Sequence, residues 1–179
     1  MRKVLLGFLA VLVGLPLVVY AAYDLTQFQP RRSEISTILR QAAPQDRHPP
    51  EQVVRMLQAS EQRNGPSVYA ARLLGQELNA ISPQGSMLGW HINSAIWWSL
   101  VRFHLSEEEQ ITAFLSLAPT GADRKGFTTT ALALYQRQPA ELSLAEVATI
   151  MALIRQPSAQ GENLEQLRAM LLARYASGV

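Results

Sequence analysis

Apolar positions along this chain fall into three regimes. From Val4 to Tyr23, twenty successive residues carry no charge, and Arg2 and Lys3 precede them. At about 1.5 Å per residue a helix of that length spans roughly 30 Å, the thickness of a bilayer core. From Asp24 to Gln45 the pattern weakens. Pro30 and Pro44 interrupt it, and only Ile35, Ile38 and Leu39 suggest a short helix, so the segment reads as a linker. From residue 46 to 179 apolar residues recur at helical spacing, which predicts helices near 50–61, 67–79, 87–104, 107–118, 127–137, 143–155 and 163–176. No stretch alternates with the period of two that a half-buried strand demands. The expected class is all-α: one helical domain of about 130 residues, enough for one core, behind a single N-terminal transmembrane helix.

Start signals sharpen several of these helices. Ser143 and Glu146 have the spacing of a capping box, with Leu142 and Val147 placed as its hydrophobic staple, and Leu144, Val147, Ala148 and Met151 continue inward before Pro157 stops the helix. Ser106 and Glu109 form a second box, ahead of Ile111, Phe114, Leu115 and Ala118. Asn163 and Gln166 offer a weaker one, with Leu164, Leu167 and Leu171 facing inward. In the helix from Leu88, the positions Ile92, Ala95, Ile96, Leu100 and Phe103 have core spacing, and Trp97 beside them is expected in the core. Trp90 and Trp98 point elsewhere. They line a groove for glycan or lipid, pack on another helix, or rest at membrane headgroups.

Composition narrows the chemistry. There is no cysteine, which removes disulfides and thiolate metal sites. His48, His91 and His104 lack ligand spacing, and no phosphate-cradling glycine loop or nucleophile elbow occurs, so no metal or cofactor is expected. Beyond Tyr23, thirteen Arg and one Lys face fourteen Asp and Glu, so the overall charge of +2 comes from Arg2 and Lys3. The basic side chains are scattered, and nucleic-acid binding loses its electrostatic footprint.

The run from Ser106 to Ala159 carries more than helix grammar. Phe114, Leu115, Gly121, Ala131, Tyr135, then Glu141, Leu142, Leu144, Ala145, Glu146, and finally Leu153, Pro157 and Ser158 stand in an order and spacing that resembles the family 51 glycosyltransferases, the peptidoglycan transglycosylase module of penicillin-binding proteins. The resemblance implies a lysozyme-like helical scaffold and a place in peptidoglycan synthesis. It also implies a catalytic deficit. The family's second catalytic carboxylate falls on Thr112, its following Asn falls on Ser116, and a hydroxyl cannot replace a carboxylate as an electrostatic stabiliser.

Upstream, Pro49 to Glu61 resembles the family's entry helix, and Glu61 matches its general base, while Gln62 replaces the family's Asp and the Phe-x-x-His segment is absent. Both Gly85-Ser86-Met87-Leu88 and Gly65-Pro66-Ser67-Val68 match the family's Gly-Ser-Thr-Ile run in part. The family's diphosphate-gripping Arg-Lys-x-x-Glu falls near Trp90, His91, Asn93 and Ser94, where no fixed cation remains. From the residues alone, Glu61 shares a helical stripe with Val54 and Leu57, and a carboxylate on an apolar stripe has a raised pKa, which suits a general acid or base. Against that stands a last-turn polar residue ahead of Arg63, Asn64, Gly65 and Pro66.

Three readings follow. One is a degenerate relative that binds a glycan strand, a lipid-linked precursor or a cell-wall synthesis enzyme, with Trp90, His91 and Trp98 as its candidate groove. Another is a minimal active glycosyltransferase working through Glu61. The third is an unrelated helical, membrane-anchored interaction protein. For all three, Arg2 and Lys3 favour a cytoplasmic start and an extracytoplasmic domain on the bacterial inner membrane. An uncleaved anchor fits better than a cleaved signal peptide, because the apolar run exceeds the usual h-region of about 7 to 15 residues.

Overall fold

Ser106 and Ser143 are where local sequence dictates structure most directly. In the computed structural model, which describes residues 14–60, 65–81, 86–121 and 123–178, the Glu109 amide donates to Ser106 Oγ at 3.2 Å and the Ser106 amide donates to the Glu109 carboxylate at 2.8 Å. At the second box the Glu146 amide donates to Ser143 Oγ at 3.3 Å and the Ser143 amide donates to the Glu146 carboxylate at 2.7 Å. Each box satisfies amides that have no partner inside the helix. They open α7 (Glu107–Leu117) and α9 (Leu144–Arg155), and the staple residues Leu142 and Val147 are both buried.

Helix α7 is the hub. Every residue from Gln110 to Leu115 is buried. Packed against it are α2 (Arg32–Gln41), α3 (Pro44–Arg47), α5 (Gly65–Glu77), α6 (Met87–His104) and α8 (Phe127–Tyr135). On the other side, α4 (Glu51–Ser60), α9 and α10 (Gly161–Ser177) pack on one another. Among the described residues the only extended pairing is an isolated bridge between Pro119 and Lys125, so the all-α expectation holds for them. Gly126 caps α8 at φ +93°, and a Cβ there would lie 3.0 Å from the Ser116 carbonyl. Only glycine takes that backbone without strain.

The predicted helices agree with the observed ones to within about a turn, but two expectations are corrected. The Asn163 box does not form: α10 begins at Gly161 with no side-chain cap, and Gln166 bonds to Glu162 instead. Leu171 is fully buried, while Leu164 and Leu167 are half-buried against the core.

Within residues 24–45 the short helix expected around Ile35, Ile38 and Leu39 is present as α2. The helix of residues 14–23, α1, continues through a π-turn at Asp24–Phe28 and a 3-10 turn at Gln29–Arg31 into α2. Pro30, which has no N–H to donate, sits at the start of that 3-10 turn. Phe28, Ile35 and Leu39 enter the core. Phe28 stacks on His104 at 4.8 Å, and the Asp24 carboxylate lies 3.1 Å from His104 Nε2. The chain therefore runs from α1 into α2 without leaving helical conformation, and Phe28 packs this stretch onto the core.

Helix α6 departs from expectation in the side it buries. Trp97 is fully buried, its indole donating to the Ala71 carbonyl at 2.9 Å, and Leu100 and Val101 are buried beside it. The expected inward stripe holds only in part: Leu100 is buried and Ile96 is half-buried against the core, but Ile92 is 52 % exposed, Phe103 is 78 % exposed and Ala95 is exposed. Apolar residues occur on every side of this helix, so periodicity alone does not choose a face.

No helix among the described residues is long and apolar enough to cross a membrane. Half of the expected anchor, Val4 to Val13, lies outside the described residues. The ten residues of α1 have about half the length a bilayer core needs.

Candidate functional site

Glu61, the sequence-derived catalytic candidate, lies outside the described residues, just past the end of α4 at Ser60. Thr112 and Ser116 lie on α7. Thr112 is buried, and its hydroxyl donates to the Glu108 carbonyl one turn back at 2.8 Å. Ser116 is half-buried and donates to the Ala113 carbonyl at 3.4 Å. Both hydroxyls are engaged with their own helix, the usual fate of Ser and Thr inside helices. Thr112 borders a cleft of about 340 Å³ with Arg40, Arg47, His48, Glu108 and Glu109. Glu109 is held there by its capping box. No hydrogen bond or ion pair among the described residues joins His48 to a carboxylate, so the cleft has charges but no organised proton-transfer pair.

The better-formed site lies between α5 and α6. Trp90, Ser94 and Trp98, at i, i+4 and i+8, put three side chains on one face of α6. Facing them from α5 are Val68, Ala71, Arg72 and Gln76, and Ile81 closes the end, leaving a groove of about 550 Å³. That volume falls in the range of small-molecule sites, which combine apolar walls with a few polar groups. The Trp98 indole donates to Ser67 Oγ at 3.3 Å, which fixes its ring. Trp90 is 42 % exposed and meets the His91 ring edge-on at 4.9 Å.

Of the three residues expected to form a groove, Trp90 and Trp98 come together and His91 sits outside, behind Trp90. Reading the sequence missed Arg72 and Gln76. Ser94 was legible from its helical spacing with the tryptophans. Arg72 had no sequence signal, since it arrives at the groove from another helix. Its guanidinium lies over the Tyr69 ring at 5.9 Å and is in no ion pair among the described residues.

Ser94 Oγ is buried in the groove wall with no hydrogen-bond partner among the described residues. A buried, unpaired hydroxyl costs stability unless a water or ligand meets it. The groove thus offers two aromatic faces for apolar or sugar surface and a guanidinium for an anion, with the unpaired Ser94 hydroxyl buried in its wall.

Asp46, on α3, is the other buried polar group that stands out. Its carboxylate accepts from the Thr128 amide at 3.2 Å and the Thr128 hydroxyl at 2.6 Å, so it caps the start of α8 from across the fold. Burial raises its pKa to about 6, partly opposed by the two bonds from Thr128. It faces neither the groove nor the Thr112 cleft and serves as a structural tie.

No family model matches the chain, and no curated protein is significantly similar to it.

Proposed function

We propose that this chain is a peptidoglycan glycosyltransferase-like protein of the bacterial cell envelope that has lost polymerising chemistry and binds a lipid-linked glycan precursor or glycan strand. Its anchor is Val4–Tyr23, and the domain lies on the extracytoplasmic side of the inner membrane. The α5–α6 groove carries this reading, because it joins the two tryptophans to a cation and an unpaired hydroxyl. Sugar faces and isoprenoid chains stack on indole rings, and Arg72 suits the phosphate linking them.

The loss of chemistry is supported by Thr112 and Ser116. Glycosyl transfer needs carboxylates or equivalent preorganised groups where charge develops, and these two hydroxyls are spent on backbone carbonyls. On this reading the bound precursor or strand is held for a cell-wall synthesis enzyme rather than consumed.

The test is a binding and turnover pair on the full-length protein in detergent, with a fluorescent lipid-linked disaccharide precursor. Binding without polymerisation is expected, weakened about tenfold or more by Trp98→Ala or Arg72→Ala and indifferent to Glu61→Gln. Polymerisation that Glu61→Gln abolishes would instead make the chain a minimal active transglycosylase.

A further inference from the structure

Exposed large apolar side chains are segregated on this molecule. Leu17 and Val18 on α1 are 63 and 66 % exposed, and Leu88, Ile92 and Phe103 on α6 are 70, 52 and 78 % exposed. Apart from α1, the turn that follows it and α6, only Leu132 and Leu134 on α8 are comparable among the described residues. Single exposed apolar residues are ordinary, but a concentration of them marks a surface meant to be covered.

The composition of α6 says what covers it. Between Glu77 and Arg102 the chain has no Asp, Glu, Lys or Arg. A helix that faces water normally carries charge on its outer side. Here the outward stripe reads Leu88, Ile92, Ala95, Ser99 and Phe103, at helical spacing, with Arg102 beside its C-terminal end. The interruption at Ser99 is where α1 attaches: Ser99 Oγ donates to Tyr20 Oη at 3.1 Å, and the Tyr23 hydroxyl donates to Asn93 Oδ1. Asn93 in turn donates to the Ala80 carbonyl at 3.2 Å. The uncharged N-terminal run, Val4 to Tyr23, therefore ends directly on α6, joined through two tyrosines, a residue type enriched at membrane interfaces.

We propose that the outward face of α6 lies in the bilayer interface, with Leu88, Ile92 and Phe103 against lipid. The domain then rests on the membrane beside its anchor instead of standing off on a tether, and Trp90, half-exposed at the groove, is held at headgroup depth. An uncharged outer face with an Arg at its end suits an in-plane interfacial helix, whose cation remains among the headgroups. This inference rests on the reading of Val4–Tyr23 as an anchor.

The chain has no cysteine, so single cysteines bearing an environment-sensitive fluorophore are clean probes. Leu88→Cys, Ile92→Cys, Leu17→Cys and, as a control, Leu132→Cys are all at exposed sites, where substitution leaves packing intact. Each full-length variant is reconstituted in phosphatidylethanolamine–phosphatidylglycerol vesicles with and without spin-labelled lipid. Quenching at 88 and 92 severalfold above that at 132 is the expected result. Quenching at 17 alone would overturn the interfacial placement of α6 while the anchor stands. No lipid quenching at 17, 88 or 92 would overturn both. Shielding of 88 and 92 from aqueous iodide without lipid quenching would put a second protein copy on this face and equally overturn the proposal.

Discussion

Helices α7 and α6 are consecutive and both rich in apolar residues, yet their structures are specified at different levels. In α7 a capping box sets the first residue, and burial on all sides makes the helix insensitive to rotation. In α6 the start is also local, with Ser86 Oγ accepting from the Gly89 amide at 3.1 Å. Which side turns inward is not. Three long-range contacts choose it: the Trp97 indole on the Ala71 carbonyl, the Phe28 ring 5.2 Å from that of Trp97, and Tyr23 on Asn93. Binary patterning orients a helix only when one side is polar.

The largest test of that contrast compares the two faces of α6. Trp97→Ala removes a fully buried indole and its hydrogen bond and should cost about 3 to 5 kcal/mol. Ile92→Ala, on the opposite side, should stay within about 0.5 kcal/mol. Urea unfolding of the detergent-solubilised protein, followed by near-UV circular dichroism, checks both. Equal losses would mean that the outward face packs on protein after all.

Smaller effects come from two carboxylates whose surroundings push them in opposite directions. Asp46 is raised from 3.8 to about 6 by burial, so the folded state binds its proton more tightly than the unfolded chain. Its contribution is most favourable below about pH 3.8 and is lost as pH rises through about 6, on the order of 3 kcal/mol across the window. Asp46→Asn keeps an acceptor for Thr128 and should flatten stability between about pH 4 and about pH 6.5; an unchanged slope would contradict the assignment. Glu146 is lowered instead, first by the Ser143 amide, then by the Ser143 hydroxyl and more weakly by Arg137, which outweigh a small desolvation effect. Its stabilisation is present above pH 4.5 and disappears as pH falls through the lowered value. Glu146→Gln should remove that acid-side loss.

The smallest expected change is at the cap itself. Ser143→Ala should destabilise by about 1 kcal/mol and leave groove binding untouched. Thermal melts beside the precursor-binding assay read both; a matching loss of binding would couple α9 to the groove.

How much was legible varies residue by residue. Ser106, Glu109, Ser143 and Glu146 were readable because each box closes within four residues. Leu171 was readable as core from spacing, whereas Trp97 is buried as expected although most of the stripe beside it faces outward. The Asn163 box failed because α10 starts two residues earlier, at Gly161, where no side chain caps it. Ile35, Ile38 and Leu39 had the spacing of the short helix that α2 is, whereas Phe28 stood unmarked beside Pro30, and only its partners His104 and Trp97 reveal its place in the core. In the groove, Trp90, Ser94 and Trp98 share a helical face that spacing discloses, whereas Arg72 is distant in sequence from all three.

By itself, then, the sequence determined the helices, the starts of α7 and α9, the neutral charge beyond Tyr23 and the uncharged stretches that become α1 and α6, because these depend on neighbours within a turn or on composition. Only the tertiary structure decided which side of α6 is buried, that Phe28 packs into the core, and that Arg72 and Ser94 meet two tryptophans in one groove. Those outcomes turn on contacts between residues far apart in the chain, where several pairings satisfy the local pattern and packing selects one.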